Sequence, residues 1–126
     1  MTQRIYMADV FAEKPYAGNP LAVVIGDESL PEETMQRVAA EINFSETTFV
    51  VPMPLADGAY PVRIFTPARE IAFAGHPILG TASVLRHHLR LPLAAPLRLS
   101  LMVGPVGVTF EQAPDGLEVA WFGAPP

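Results

Sequence analysis

One segment limits the possible folds of this chain more than any other: Glu70 to Leu89, EIAFAGHPILGTASVLRHHL. It is mostly apolar, yet Gly75-His76-Pro77 places a flexible residue, an ionisable one and a helix breaker within it. A helix that begins after His76 accommodates all three. Gly75 allows a tight strand-to-helix turn, and Pro77 at the first helical position loses an N–H that would have no partner there. The predicted helix runs from Pro77 to Leu89. Ile78, Leu79, Ala82, Val84 and Leu85 make it apolar nearly all round, the pattern of a helix that other elements enclose. Gly80, Thr81, Ala82 and Ser83 are small, so strands can approach its axis closely.

The rest of the chain supplies the enclosing material. Arg4 to Phe11, Leu21 to Ile25, Glu46 to Val51, Val62 to Thr66, Leu97 to Met102, Gly107 to Glu111 and Leu117 to Phe122 read as short strands, and Glu70 to Ala74 as a short strand or extended segment. Turns are expected over Lys14 to Pro20, Gly26 to Leu30, Pro52 to Pro61 and Pro67 to Arg69, and at Gly104-Pro105 and Pro114-Asp115-Gly116. A second helix is predicted over Pro31 to Ile42, with Pro31, Glu32 and Glu33 in its first turn and Met35, Val38, Ala39 and Ile42 as its buried stripe. The expected architecture is α+β: one domain, residues 1–126, with a mixed curved sheet wrapped around the central buried helix Pro77–Leu89.

Composition excludes several function classes. Half of the 126 residues are hydrophobic, enough for a real core. The formal net charge is -5 and the basic residues are scattered, against a nucleic-acid partner. No apolar run reaches the roughly 20 residues of a bilayer span, so no membrane association is expected. The opening MTQRIYM lacks the apolar run of a secretory leader, which makes a cytoplasmic location the expectation. There are no cysteines, hence no disulfide, thiolate metal site or thiol base.

Three places could carry chemistry. Ser45-Glu46 lies where a helix gives way to a strand. A carboxylate beside Phe44 and Phe49 would be partly desolvated, which suits a proton shuttle; a solvated strand-start or capping glutamate fits the same residues. Gly75-His76 precedes a helix N-terminus, whose N–H groups and dipole can hold a carboxylate or phosphate while His76 donates a proton; a plain helix cap or a buried structural histidine is the alternative. Asn19, in Gly18-Asn19-Pro20, can donate and accept hydrogen bonds, or simply form a turn. Asp9 and Glu70 read as structural. His87 and His88 are adjacent on a helix and face different ways, so they make no metal pair, and no other cluster suggests a metal. No glycine-rich phosphate loop is present.

Taken together, DVFAEKPYAGNPLAVV (Asp9 to Val24), EINFSETTFV (Glu41 to Val50) and RIFTPAREIAFAGHPILGTA (Arg63 to Ala82), with GPVGV at Gly104 and the strand at Trp121, resemble the PhzF-like phenazine-biosynthesis isomerase family. The motifs occur in order over nearly the whole chain. The resemblance implies the diaminopimelate-epimerase-like fold, in which two similar lobes each wrap a sheet around a helix and face each other across a cleft. It implies that Glu46 is the general acid/base, that Ser45, Gly75 and His76 hold a small carboxylic-acid substrate with Asn19 nearby, and that neither metal nor organic cofactor takes part. Related racemases of this fold use two thiols; a single carboxylate suits relocation of a proton on one face. Members of the family are about twice this length, so the chain corresponds to the N-terminal lobe, and the cleft is expected to be completed by a second copy or by a separate C-terminal lobe. The competing expectation is a non-catalytic carboxylate-binding or dimerisation module derived from the family.

Overall fold

The computed structural model describes residues 3–10, 19–26, 30–116 and 118–123. They form a curled mixed sheet with one helix inside the curl and one outside. Strand β1 (Gln3–Val10) pairs antiparallel with β2 (Asn19–Gly26). Helix α1 (Glu32–Ile42) then leads to β3 (Glu46–Val50), parallel to β2. β4 (Tyr60–Phe65) returns antiparallel and is flanked by the two-residue β5 (Glu70–Ile71). Helix α2 (Gly75–Leu89) crosses to β6 (Leu97–Leu101), parallel to β4, and β7 (Gly104–Gln112) and β8 (Glu118–Phe122) complete the order β1-β2-β3-β4-β6-β7-β8. Strands from both ends of this order, β1 and β8, touch α2, so the sheet curls around that helix as a half-barrel.

Both faces of the central strands are covered, which explains why β2 and β3 lack the usual apolar–polar alternation. Leu21, Val23, Ile25 and Val50 point inward with Val62 and Ile64 of β4, against Ile78, Ala82 and Leu85 of α2. Val24, Phe49 and Phe65 point outward against Met35 and Ala39 of α1. Phe49 and Phe65 meet edge to face at 5.5 Å. Ile78, Ala82 and Leu85 have no exposed surface at all, the enclosure that the apolar pattern of this segment requires.

One polar contact sits inside the inner layer. The hydroxyls of Thr48 on β3 and Thr81 on α2, both fully buried, are hydrogen-bonded at 2.7 Å. Burial without such a partner would cost each hydroxyl about 1–3 kcal/mol.

Several boundaries differ from the sequence-based expectation. Helix α2 begins at Gly75, not after His76: Ala74 is its N-cap in an extended conformation, so Gly75 and His76 are helical and Pro77 is the third residue. Proline is tolerated there because the first-turn N–H groups have no intrahelical acceptor. Pro31 is the N-cap of α1 and not a helical residue. Gly104-Pro105 is no turn but the start of β7; the chain reverses at Met102-Val103, and Gly104, at φ +121°, takes a backbone conformation open mainly to glycine. Of the turn expected over Lys14 to Pro20, residues 14–18 lie outside the described residues, while Asn19 and Pro20 are in β2.

Outside the curl, Arg63 on β4 ties three elements together. Its guanidinium donates to both carboxylate oxygens of Glu70 (2.7 and 2.6 Å) and to Glu32 of α1 (2.6 Å). Glu70 is therefore structural, as its place beside a turn suggested. Its hydrogen bond from Arg63 holds its pKa below the ordinary carboxylate value. A carboxylate with a lowered folded-state pKa stabilises the fold above its unfolded value, and that contribution disappears as pH falls through the folded-state value. Glu70→Gln is thus expected to cost about 1–2 kcal/mol at pH 7, after allowance for the solvent around Arg63. The gap from the parent protein should close as pH is lowered below about 4. Urea unfolding of both proteins at pH 7 and pH 3 measures it; an undiminished gap at pH 3 contradicts the assignment.

Candidate active site

Glu46 opens β3, and its alternation with Thr48 and Val50 aims it at the inner face. Strand and helix then advance in step. From Glu46 to Thr48 a strand covers about 7 Å, and from His76 to Thr81 a helix covers about 7.5 Å. Since Thr48 meets Thr81, Glu46 arrives at the first turn of α2. Glu46 Oε2 lies 3.2 Å from His76 Nε2, and the two side chains are only 16% and 15% exposed. Residues 30 positions apart in sequence, whose spacing says nothing of their separation in space, are in contact at the mouth of the half-barrel.

The source of the Glu46 environment differs from expectation. Phe49 is three residues along the strand, so it faces α1 and does not flank the carboxylate. The neighbours that shield Glu46 are fully buried Leu21, paired with it across β2–β3, and the start of α2. Ser45 lies at the bend between α1 and β3, solvent-exposed beside Glu46. Asn43 ends α1 in the left-handed conformation with its N–H bonded to Ala39 O, which turns the chain sharply into this bend.

The N-cap of α2, Ala74, makes no side-chain cap hydrogen bond, and no acidic residue lies in the first turn. The N–H groups at the start of such a helix are available to an anion, and the dipole favours one. Gly75 faces the ring of Phe122 on β8: a Cβ at this position would lie 3.4 Å from the ring edge. Phe73 and Phe122 stand 5.9 Å apart as an apolar wall beside the lip. Nothing local in the sequence marks Phe122 as a neighbour of Gly75, because β8 reaches α2 only through the closing curve of the sheet. The side chain of Asn19 lies outside the described residues, as does that of Asp9. Ser45, Glu46, Gly75 and His76 therefore converge at one end of the curl.

At the other end of α2 the two adjacent histidines diverge as expected. His88 Nδ1 is hydrogen-bonded to the Tyr6 hydroxyl of β1 at 2.8 Å, while His87 Nε2 lies 3.3 Å from Glu118 of β8. Among the described residues no group of three or more His, Cys, Asp or Glu side chains is placed to hold a metal ion. No helix among them is long and apolar enough to cross a membrane.

Comparison with known proteins places this geometry in a family. Residues 8–126 match the family model described as phenazine biosynthesis-like protein. The trans-2,3-dihydro-3-hydroxyanthranilate isomerase of Pseudomonas aeruginosa is 51% identical over 82 residues, covering 65% of this chain and 29% of that protein. An uncharacterized isomerase of Mesorhizobium japonicum is 41% identical over 121 residues, 96% of this chain and 40% of its own. The solved structure of a predicted epimerase from Pseudomonas aeruginosa superposes with a TM-score of 0.81 at 36% identity, over 96% of this chain and 42% of that one. The chain thus spans between 29% and 42% of these relatives, consistent with one lobe. It belongs to the phenazine biosynthesis-like, or PhzF-like, family, folded as a single α+β lobe of the diaminopimelate-epimerase-like kind.

Proposed function

We propose that this chain is the N-terminal, catalytic wall of a cofactor-independent isomerase that relocates a proton within a small carboxylic acid. The observation that carries the reading is the 3.2 Å contact between Glu46 and His76 at the start of α2, whose N-cap Ala74 makes no side-chain cap hydrogen bond. The Glu46 carboxylate removes a proton from a substrate carbon, the electron pair shifts into an adjacent unsaturated system, and the same carboxyl returns the proton to a different carbon on the same face. One acid/base group suffices for such a suprafacial transfer. The first-turn N–H groups, Ser45 and His76 hold the substrate carboxylate, with Asn19, in β2, assigned as a further substrate-binding residue.

A one-sided wall leaves the reacting carbon in water, where fixed charges and dipoles lose their leverage. A second lobe closes the cleft, carried either by another copy of this chain or by a separate C-terminal lobe. The greater length of the relatives and the open side of the half-barrel support this reading.

The test is made in deuterium oxide, with trans-2,3-dihydro-3-hydroxyanthranilate as probe because a 51% identical relative is named for it. The expected result is isomerised product, carrying solvent deuterium at the newly protonated carbon in the fraction of turnovers in which the Glu46 carboxyl exchanges with solvent before returning the proton, with specific activity rising as protein concentration favours a closed cleft. Saturable binding of the acid with neither isomerisation nor deuterium uptake at any concentration overturns the catalytic reading and identifies a carboxylate-binding module instead.

A further inference from the structure

A cavity lies about 20 Å from the Glu46–His76 lip, at the far end of α2. Its volume is about 590 Å³. Arg4 and Tyr6 of β1 form one wall, and His87, His88 and Arg90 at the end of α2 form the other, over a floor of Ile25 and Pro52. Two arginines, two histidines and a tyrosine thus line one space, with no acidic residue among its described lining residues, in a chain whose net charge is -5.

The simplest account of basic residues at a helix C-terminus is that they offset the dipole and the unpaired carbonyls. That account is insufficient here. Two of the terminal carbonyls already have backbone donors: Arg90 in the left-handed conformation gives its N–H to Arg86 O and His87 O, and Leu91 N–H bonds Arg86 O at 3.0 Å. Arg4 and Tyr6, moreover, belong to a strand and not to the helix. Elsewhere in the fold Arg63 and Arg86 are tied to carboxylates, Glu70 with Glu32 and Glu118 respectively. Arg4 and Arg90 have no carboxylate among the described residues and both open onto the cavity. Of the two imidazoles, His88 is held in place by the Tyr6 hydroxyl, and the more exposed His87 is shared with Glu118.

We infer that this cavity is a binding site for a small, multiply charged oxyanion of the phosphate or phosphate-ester class, separate from the Glu46–His76 lip. Arg4 and Arg90, on opposite walls, clamp the anion through charge-assisted hydrogen bonds, and the Tyr6–His88 pair offers a further donor. The volume exceeds that of a bare phosphate, which leaves room for an organic substituent above Ile25 and Pro52.

The test is titration of the purified chain with inorganic phosphate by calorimetry at constant ionic strength, with chloride as the compensating anion. Saturable binding is expected, weakened about tenfold or more by Arg4→Gln and again by Arg90→Gln, since each removes a charge-assisted contact. Both side chains are exposed, and circular dichroism checks that the fold is kept. Glu46→Gln should leave phosphate affinity unchanged, which separates this site from the lip. Absence of saturable phosphate binding, or binding that survives the double substitution, overturns the inference, and so does binding that is lost in Glu46→Gln. Tighter binding of a phosphate monoester such as phenyl phosphate than of inorganic phosphate would assign the site to esters, and equal affinity to the free ion.

Discussion

Glu46→Gln is expected to reduce turnover about 10²–10⁴-fold in the assembled enzyme, the usual contribution of a positioned general acid/base. The amide keeps the shape and the ability to accept a hydrogen bond from His76, but it can neither take nor return a proton at neutral pH. Apart from the contact with His76, the buried Oε2 makes no hydrogen bond among the described residues, so little of the described fold depends on the charge. The loss should therefore appear in kcat, with KM changed only slightly and the unfolding free energy within about 0.5 kcal/mol of the parent. His76→Gln provides the contrast. It keeps a donor at the lip while removing the imidazole, and its effect should divide between KM and kcat. Steady-state kinetics on both variants, alongside urea unfolding, makes the comparison. Turnover within twofold of the parent for Glu46→Gln removes the carboxylate from the mechanism.

The largest effect on stability is expected at the other end of α2. Arg86 is almost wholly buried, lies over the ring of Phe110 at 5.1 Å, and is ion-paired with Glu118 of β8. Ser83 donates to the same carboxylate at 3.1 Å. Glu118→Ala leaves a buried guanidinium without its counter-charge and is expected to cost about 2–4 kcal/mol, somewhat below the usual range for a buried pair because Glu118 retains some exposure. The double change Arg86→Met with Glu118→Val removes both charges and should recover most of that loss, since the interior around Phe110 and Leu85 is apolar. Denaturant unfolding of the single and double variants decides the matter. A double variant as unstable as Glu118→Ala would mean that packing, and not the orphaned charge, was responsible. Because β8 also carries Phe122 against Gly75, loosening this pair should reach the lip through the same strand.

The central helix and the strand content were legible because the patterns were extreme. A segment apolar nearly all round has to be enclosed, and Ile78, Ala82 and Leu85 are enclosed completely. The exact start of α2 was less legible. Pro77 fits any of the first helical positions, and Ala74, an unremarkable residue, proves to be the cap. The reversal at Met102-Val103 was hidden by its side chains: the positive-φ glycine, Gly104, follows the turn and belongs to the next strand. At the site, residue types and family motifs singled out Ser45, Glu46, Gly75 and His76. Only the pairing of β3 alongside α2 brings them together. Phe122 and the Thr48–Thr81 pair left no local mark, since their roles arise from contacts far apart in the chain.

That threonine pair has a consequence for the origin of precision at the lip. The packing of α2 against the inner face is greasy, and apolar contact is non-directional. A helix shifted by one turn, about 5.4 Å, would still bury methyl groups against methyl groups. It would also carry His76 out of reach of Glu46. The hydroxyl contact acts like a detent in a sliding mechanism, because one setting satisfies both oxygens and its neighbours leave both orphaned. The alignment of the proposed proton-handling pair is thus indexed by two residues one turn deeper, where no substrate reaches.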